Sequence, residues 1–253
     1  MATTPMSTST FARTTLRRRA LIIGWDTLRP NMITSEITPV LRRLAEQGVQ
    51  TARHYAPYPT ETRVNAASLS TGCWAGRHGI VGNEFYMPGV GPEHINTGNH
   101  GHLFALEATG ESIQLAASMA QRLASQGLGM AVVSAGTPGV TLMWDPTRVG
   151  PVLDVWADFG DPRTLTIRRA LAPPQARQTP NTPANRYAAR VVTEHFLSRE
   201  DLSVCVLWCN EPDHSQHHCS LGSPEATQAL RDNDALLEEI LLAIERRKGH
   251  GQN

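Results

Sequence analysis

Side chains able to bind a metal ion or to attack phosphorus occur in three stretches that lie far apart in the chain. Asp26 ends an apolar run near the N-terminus, and Asp213 and His217 follow a second apolar run. Carboxylates and imidazoles placed where buried strands end are typical ligands of a metal site on an α/β sheet. In the third stretch, Thr62 precedes a run of small residues that favours a helix. A hydroxyl facing such a metal is a candidate nucleophile, so the three stretches indicate a metal-assisted hydrolase of phosphate esters.

Two of these positions also have simpler interpretations. Asp26 could cap the following turn or pair with Arg29. Thr60 and Thr62 both precede the helix predicted from Asn65, and either could cap that helix, so position alone does not choose between them as nucleophile. The amide of Asn65 could donate to a phosphoryl oxygen as negative charge builds up there.

The densest cluster of candidate metal ligands lies in the segment 211–218. Asp213 and His217 are four residues apart, and they would face one ion if the segment formed a helical turn. His214 and His218 share this spacing and are possible substitutes. The alternative is an ordinary polar loop.

Composition indicates a globular chain whose balanced charge does not favour a strongly charged binding partner. The 253 residues are 40% hydrophobic and 18% charged, and Lys plus Arg and Asp plus Glu both total 23. This balance gives no indication of nucleic acid or an anionic membrane as a partner. The hydrolase interpretation instead implies a small-molecule phosphate ester or nucleotide as the partner. The spacing of the four cysteines favours free thiols and hence the cytoplasm. A separate zinc site formed by Cys209, Cys219 and a histidine is a less regular alternative.

Strand and helix patterns alternate along the chain. Residues 1–18 are predicted to be a disordered basic tail, and residues 19–253 a single α/β domain. The alternation predicts a three-layer α/β/α sandwich with a largely parallel central sheet. The predicted strands are 20–26, 49–54, 130–134 and 202–209, and the predicted helices are 38–48, 65–71, 112–126, 184–197 and 223–247.

Three finer expectations follow from the same patterns. The uninterrupted apolar run of the first strand predicts a central strand that is buried on both faces. Thr38 is a suitable cap for the first helix. The proline-rich segment Pro146–Pro183 lacks periodicity and is predicted to run over the surface.

The ordered segments resemble the type I phosphodiesterase/nucleotide pyrophosphatase family of the alkaline phosphatase superfamily. The resemblance runs from about Ala20 to Ile244, and the ordered set is far more specific than any one segment. Its segments are Gly24–Pro30, Thr38–Leu44, Pro59–Asn65, His78–Asn83 and Glu211–Asp213 with His217.

The resemblance implies an alkaline-phosphatase-like fold and a role for each candidate residue. It implies that Thr62 is the nucleophile and forms a phospho-enzyme intermediate, and that Asn65 binds the phosphate. Family members generally use two zinc ions. Asp26 and Thr62 would bind one zinc ion, and Asp213 and His217 would bind the other.

The chain also departs from the family pattern. Arg63 and Val64 stand where better-known eukaryotic members carry Phe-Pro, which leaves the substrate preference open. After Asp213 the only aspartates are Asp232 and Asp234, in the predicted long helix, and no later Asp-His pair follows. Half of the family's usual protein ligands are therefore missing, which predicts weak metal binding.

These departures support two alternatives. The chain could be a C-terminally truncated and catalytically inactive member of the family, without the last strands of the sheet and with an open apolar sheet edge. It could also be a phosphonoacetate-hydrolase-like enzyme, because those enzymes have similar sites.

Overall fold

The computed structural model describes residues 19–250, with side chains through Arg247. The predicted tail 1–18 lies outside the described residues. In chain order the strands are β1 (Ala20–Trp25), β2 (Glu84–Tyr86), β3 (His94–Asn96), β4 (Gly129–Ser134), β5 (Val152–Asp154) and β6 (Leu202–Cys209). The α-helices are α1 (Pro39–Gln47), α2 (Thr62–Thr71), α3 (Ala75–His78), α4 (His100–Ala108), α5 (Met119–Ala124), α6 (Pro138–Trp144), α7 (Pro162–Ala170), α8 (Thr182–Arg190), α9 (Asp213–His218) and α10 (Pro224–His250).

The central sheet contains β1, β6, β4 and β5 in that order, and every neighbouring pair is parallel. Strands β2 and β3 form a separate antiparallel pair. In the register between β1 and β6, Trp25 lies opposite Cys209. Because parallel strands end along one rim of a sheet, the residues that follow β1 and β6 become neighbours there.

Helices cover both faces of the sheet, which confirms the predicted three-layer α/β/α architecture. One core lies beneath α7, α8 and α10 and contains Phe196 and Ile240. The other lies beneath α2, α4 and α6 and contains Leu103 and Leu142. Successive side chains of β4 alternate between the two cores, as expected for a strand buried on both faces. Among residues 19–250, no helix is both long and apolar enough to cross a membrane.

The predicted central position of β1 is wrong. Strand β1 lies at an edge of the sheet and pairs with β6, and the side chains of Leu21 and Ile23 are only partly buried. An apolar run reports the hydrophobicity of a strand and not the number of its neighbours. Within the described residues the other side of β1 has no strand partner.

Two predicted elements in the first half of the chain are also wrong. Residues 49–54 form no strand, and Val49 is 94% exposed, so its apolar side chain has no core to pack against. The helix predicted over 112–126 is reduced to α5. A capping box between Ser118 and Gln121 starts the helix there, which excludes the preceding residues.

The predicted surface excursion over Pro146–Pro183 is wrong in its central part. It contains β5, whose residues are all buried in the sheet, and α7, whose first turn is capped by the Asp161 side chain. A strand of three residues is too short to show periodicity. The predicted strands at β4 and β6 and the predicted helices at α1, α8 and α10 are confirmed.

Helix α1 receives its cap from a distant helix. The Thr38 hydroxyl, predicted to cap α1, donates instead to the Met32 carbonyl oxygen at 3.2 Å. The Asp234 carboxylate of α10 accepts from the backbone N–H groups of Val40 and Leu41, both at 2.9 Å. This charge-assisted cap joins the two helices beside β1.

Helix α6 touches the backbone of the loop that follows β3. The Gly139 N–H donates to the Gly98 carbonyl oxygen at 3.1 Å. A Cβ atom at position 139 would lie 1.6 Å from the carbonyl oxygen of Thr97, so only glycine permits this approach.

We predict that Gly139→Ala lowers the free energy of unfolding by at least about 2 kcal/mol, because the added methyl group overlaps the backbone. Gly76→Ala in α3 is the matched control. A Cβ atom there meets nothing within 4 Å, so the change should be below about 1 kcal/mol and stabilising. Urea denaturation of both variants measures the difference, and equal stabilities would contradict the close packing of α6.

Candidate active site

Asp26 is fixed at the rim of the sheet by the pairing of β1 with β6. Its N–H donates to the Cys209 carbonyl oxygen at 3.1 Å, which extends the pairing by one residue beyond β1. Thr27 then adopts φ 58°, a left-handed conformation that is rare for a β-branched residue. Such strain persists where the surrounding structure enforces it, and it often marks functional sites. The chain therefore turns away sharply and leaves the Asp26 carboxylate at the strand end.

The carboxylates of Asp26 and Asp213 lie close enough to repel each other. The pKa of Asp26 is raised from 3.8 to about 7, first by burial and then by the negative charge of Asp213. Burial also raises the pKa of Asp213, whereas His217 and Arg63 lower it. Two neighbouring carboxylates that are partly removed from water favour the binding of a cation between them.

The structure distinguishes the two candidate threonines. Thr62 is the first residue of α2, and its interaction with the Asp26 carboxylate lowers the pKa of that group. Thr60 is exposed and lies outside the helix. The geometry therefore brings Thr62, and not Thr60, to the Asp26 carboxylate.

Asn65 lies one turn further along α2. Its side-chain Nδ2 donates to the Glu61 carbonyl oxygen at 2.9 Å. An amide carries two N–H donors, so one remains for a phosphoryl oxygen. Asn65 also lines a surface cavity together with His54, Tyr55, Pro57, Ser68, Leu69, Gly72, Cys73 and Trp74.

The predicted pair on the 211–218 segment lies on a helix. Asp213 is the first residue of α9, and the His217 Nε2 lies 3.4 Å from its Oδ1. The side chain of His217 is 75% exposed, against 22% for Asp213, so the imidazole is free to reorient. His214 and His218 stack on each other with 4.4 Å between ring centroids, and the structure gives neither of them a contact with Asp213.

A buried carboxylate fixes the turn between β6 and α9. Glu211 is fully buried, and its Oε1 accepts from the Asn181 N–H at 2.5 Å and from the Ser215 hydroxyl at 3.1 Å. Its Oε2 accepts from the Ser215 N–H at 3.0 Å. The first turn of α9, which starts at Asp213, is thereby held in one orientation.

Two buried asparagines continue this network into the helices behind it. The Asn233 amide donates to the Glu211 carbonyl oxygen at 2.8 Å, and the Asn185 amide donates to Asn233 Oδ1 at 2.8 Å. The Asn185 Oδ1 accepts from the Asn210 N–H at 3.2 Å. Helices α8 and α10 are therefore tied to the segment that carries Asp213. The sequence patterns place Glu211 in a motif without indicating its structural role, and they do not single out Asn185 or Asn233, although an asparagine at a core position of an amphipathic helix is a usable signal.

The donor set fits a divalent cation only in part. Asp26, Thr62, Asp213 and His217 supply oxygen and nitrogen donors of the types that zinc accepts. Among the described residues, however, no group of three or more His, Cys, Asp or Glu side chains is placed to hold a metal ion. Two ions held by these residues alone would each have about half of a tetrahedral shell, and water or further ligands would have to complete it.

The cysteines and His78 have structural roles. The four cysteines form no disulfide, as predicted. Burial raises the pKa of the Cys209 thiol to about 12, and the described residues form no Cys/His metal cluster, so the alternative zinc site with Cys219 finds no support.

His78 is buried, and its Nδ1 accepts from the Ile80 N–H at 3.1 Å. The proton must then lie on Nε2, which donates to Ser68 at 2.9 Å, so His78 cannot act as a base toward that serine.

Comparisons with known proteins agree with the fold and the ordered motifs. The profile described as "Type I phosphodiesterase / nucleotide pyrophosphatase" matches residues 20–252. The structure is similar to that of murine ectonucleotide pyrophosphatase/phosphodiesterase 5, solved as an inactive form in complex with AMP, with a TM-score of 0.61 at 17% identity. It is also similar to phosphonoacetate hydrolase from Sinorhizobium meliloti in complex with phosphonoacetate, with a TM-score of 0.67 at 19% identity.

The chain spans about half the length of these solved structures. It covers 53% of the murine protein and 54% of the bacterial enzyme, while the matches include 91% and 90% of this chain. An ectonucleotide pyrophosphatase/phosphodiesterase of Caenorhabditis elegans is 31% identical over 72 residues, which are 28% of this chain and 9% of that protein. An uncharacterized pyrophosphatase/phosphodiesterase of Schizosaccharomyces pombe is 31% identical over 77 residues, which are 30% of this chain and 16% of that protein.

We predict that Asn233→Leu lowers the free energy of unfolding by about 2–4 kcal/mol, because it leaves the Glu211 carbonyl and the Asn185 amide buried without partners. Arg231→Leu, at an exposed position of the same helix, is the control and should change stability by less than about 1 kcal/mol. Thermal or urea unfolding measures both. A tolerated Asn233→Leu would show that the polar network does not hold α10.

Asp154 ends β5 at the same rim as Asp26 and is fully buried. It accepts hydrogen bonds from the Thr141 hydroxyl at 2.6 Å and from the Trp156 and Ala157 N–H groups at 2.8 and 3.0 Å. Burial nevertheless raises its pKa from 3.8 to about 7. Between these values the folded state holds a proton that the unfolded chain has released.

We therefore predict that the free energy of unfolding falls as the pH rises from about 4 to 7, with Asp26 contributing in the same direction. Asp154→Asn should reduce this slope, because its side chain does not ionise. Asp158→Asn, at an exposed position, is the control and should leave the slope unchanged. Urea titrations at several pH values measure it, and identical slopes in wild type and Asp154→Asn would contradict the raised pKa.

Proposed function

Because the chain belongs to the type I phosphodiesterase/nucleotide pyrophosphatase family, we propose that it hydrolyses phosphodiester or pyrophosphate bonds through a covalent intermediate on Thr62. The observation that supports this most strongly is the meeting of Thr62 with Asp26 and Asp213 at one rim of the sheet. The three residues come from segments that are far apart in the sequence, and neither capping nor core packing requires a hydroxyl beside two carboxylates.

In the proposed reaction the Thr62 Oγ attacks phosphorus, and the bond from phosphorus to the leaving oxygen breaks. The proton lost by the Thr62 hydroxyl goes to the leaving group. Water then attacks phosphorus, the bond from phosphorus to Thr62 Oγ breaks, and a proton from the water restores the Thr62 hydroxyl. The Asp26 carboxylate orients the Thr62 hydroxyl by accepting its hydrogen bond. The remaining side-chain N–H of Asn65 donates to a phosphoryl oxygen.

We propose zinc as the cofactor, with two ions as is general in the family. Asp26 and Thr62 would contribute to one ion, and Asp213 and His217 to the other. A bound zinc ion would favour ionisation of the hydroxyl and offset the negative charge of the phosphate. Glu211 and the buried asparagines keep the Asp213 turn in place for this role.

Two other candidate functions are each favoured by one specific observation. The absence of a three-ligand cluster among the described residues favours an inactive family member that has kept the fold. The similarity to phosphonoacetate hydrolase favours a phosphonate substrate. A cytoplasmic location stays a prediction.

We predict that Thr62→Ala lowers the rate of bis-p-nitrophenyl phosphate hydrolysis in the presence of zinc by at least about 10³-fold, because the nucleophile is lost. Thr60→Ala is the matched control and should stay within about threefold of wild type, since Thr60 is exposed outside α2. Equal rates for wild type and Thr62→Ala would end the proposal.

Measuring the zinc content after dialysis distinguishes the proposed zinc-dependent enzyme from the inactive family member. Retained zinc that is lost in Asp26→Asn and Asp213→Asn would support the enzyme. A folded wild type that retains no zinc and has no Thr62-dependent activity would support the inactive family member.

A further inference from the structure

The guanidinium of Arg63 has few partners for a charged group beside the proposed nucleophile. Arg63 follows Thr62 on the first turn of α2 and is partly buried. The guanidinium forms one side-chain hydrogen bond among the described residues, from Nε to the Thr97 hydroxyl at the long distance of 3.4 Å. A guanidinium has five N–H donors, so most of them are left for another acceptor.

Carboxylates surround Arg63 without pairing with it. Asp26, Glu61, Asp213 and Glu84 all act electrostatically on the guanidinium. None of them forms an ion pair with it in the part of the chain that the structure describes. The guanidinium stays charged, as is general for arginine in proteins, and its terminal N–H donors stay free to bind an anion.

The position of Arg63 is fixed from two sides. Its backbone N–H donates to Asn83 Oδ1 at 3.2 Å, which holds the first turn of α2 against the start of β2. Its guanidinium packs on Gly98, where a Cβ atom would lie 3.4 Å from Nη2. Gly98 is in turn held by the N–H of Gly139 at 3.1 Å. An arginine fixed in this way binds an anion with little loss of conformational freedom.

We propose that Arg63 binds a second anionic group of the substrate, joined to the attacked phosphorus through one bridging atom. The planar fork of a guanidinium matches a phosphate or a carboxylate in bidentate geometry. The second group is then either the next phosphate of a pyrophosphate or the carboxylate of a phosphonocarboxylate. Arg63 is a specificity-determining residue for such substrates, and this inference rests on the proposed function.

The proposal is tested by equilibrium binding, which does not depend on turnover. Calorimetry in the presence of zinc compares methylenediphosphonate and phosphonoacetate, which carry the second anion, with methylphosphonate, which lacks it. The variants are Arg63→Met, Arg63→Lys and, as a control for lost surface charge, Arg77→Met on the exposed side of α3. Circular dichroism of each variant shows that it is folded.

Arg63→Met is expected to weaken the binding of methylenediphosphonate or phosphonoacetate at least tenfold more than that of methylphosphonate. Whichever of the two ligands shows the larger loss identifies the second anion as phosphate or carboxylate. Arg63→Lys is expected to lie between wild type and Arg63→Met, and Arg77→Met should bind all three ligands as wild type does.

An equal loss for all three ligands would overturn the proposal and make Arg63 a counterion of the carboxylates. An unchanged affinity, or no binding of either ligand that carries the second anionic group to wild type, would overturn it as well. If Thr62→Ala hydrolyses esters as fast as wild type, the proposed function fails. The calorimetric result still decides whether Arg63 binds a second anionic group.

Discussion

The burial of two neighbouring carboxylates, Asp26 and Asp213, at one rim of the sheet is the constraint on which the site depends. Parallel pairing of β1 with β6 places both groups at one rim, where burial makes their charge more costly than in water. Two buried carboxylates stay this close in the folded chain only if other interactions hold them in place. Interactions with Trp208, Thr62 and Arg63 lower the pKa of Asp26, and the charges of His217 and Arg63 lower that of Asp213.

The buried polar network behind Asp26 and Asp213 explains why the two carboxylates do not move apart. Glu211 fixes the first turn of α9, and Asn233 ties that turn to α10. The neighbouring Asp234 of α10 caps α1. A single long helix therefore anchors both the turn that carries Asp213 and the helix that follows Asp26 in the chain. These buried polar contacts cost desolvation and are satisfied only in one arrangement, which gives the rim a defined geometry.

The sequence was sufficient for the α/β/α architecture and for the residues that gather at the rim. Long apolar runs predict β4 and β6, and the order of the motifs predicts Asp26, Thr62 and Asp213 as candidate site residues. The edge position of β1, the short strand β5 and the cap of α1 by Asp234 could not be predicted, because each depends on which distant element packs beside it. For the same reason Arg63 was noticed only as a departure from the family pattern. Its surroundings, from Glu61 to Gly98, are assembled only in the folded chain.

The most direct test of the central claim is a carboxyl ¹³C NMR titration of Asp26 in metal-free wild type and in Asp213→Asn. If the two carboxylates share one rim, removing the charge at position 213 should lower the pKa of Asp26 below its wild-type value of about 7. Asp158→Asn, far from this pair in the chain and exposed, should leave that pKa unchanged. An Asp26 pKa that is the same in Asp213→Asn and wild type would show that the two groups do not meet, and the account of the site would fail with it.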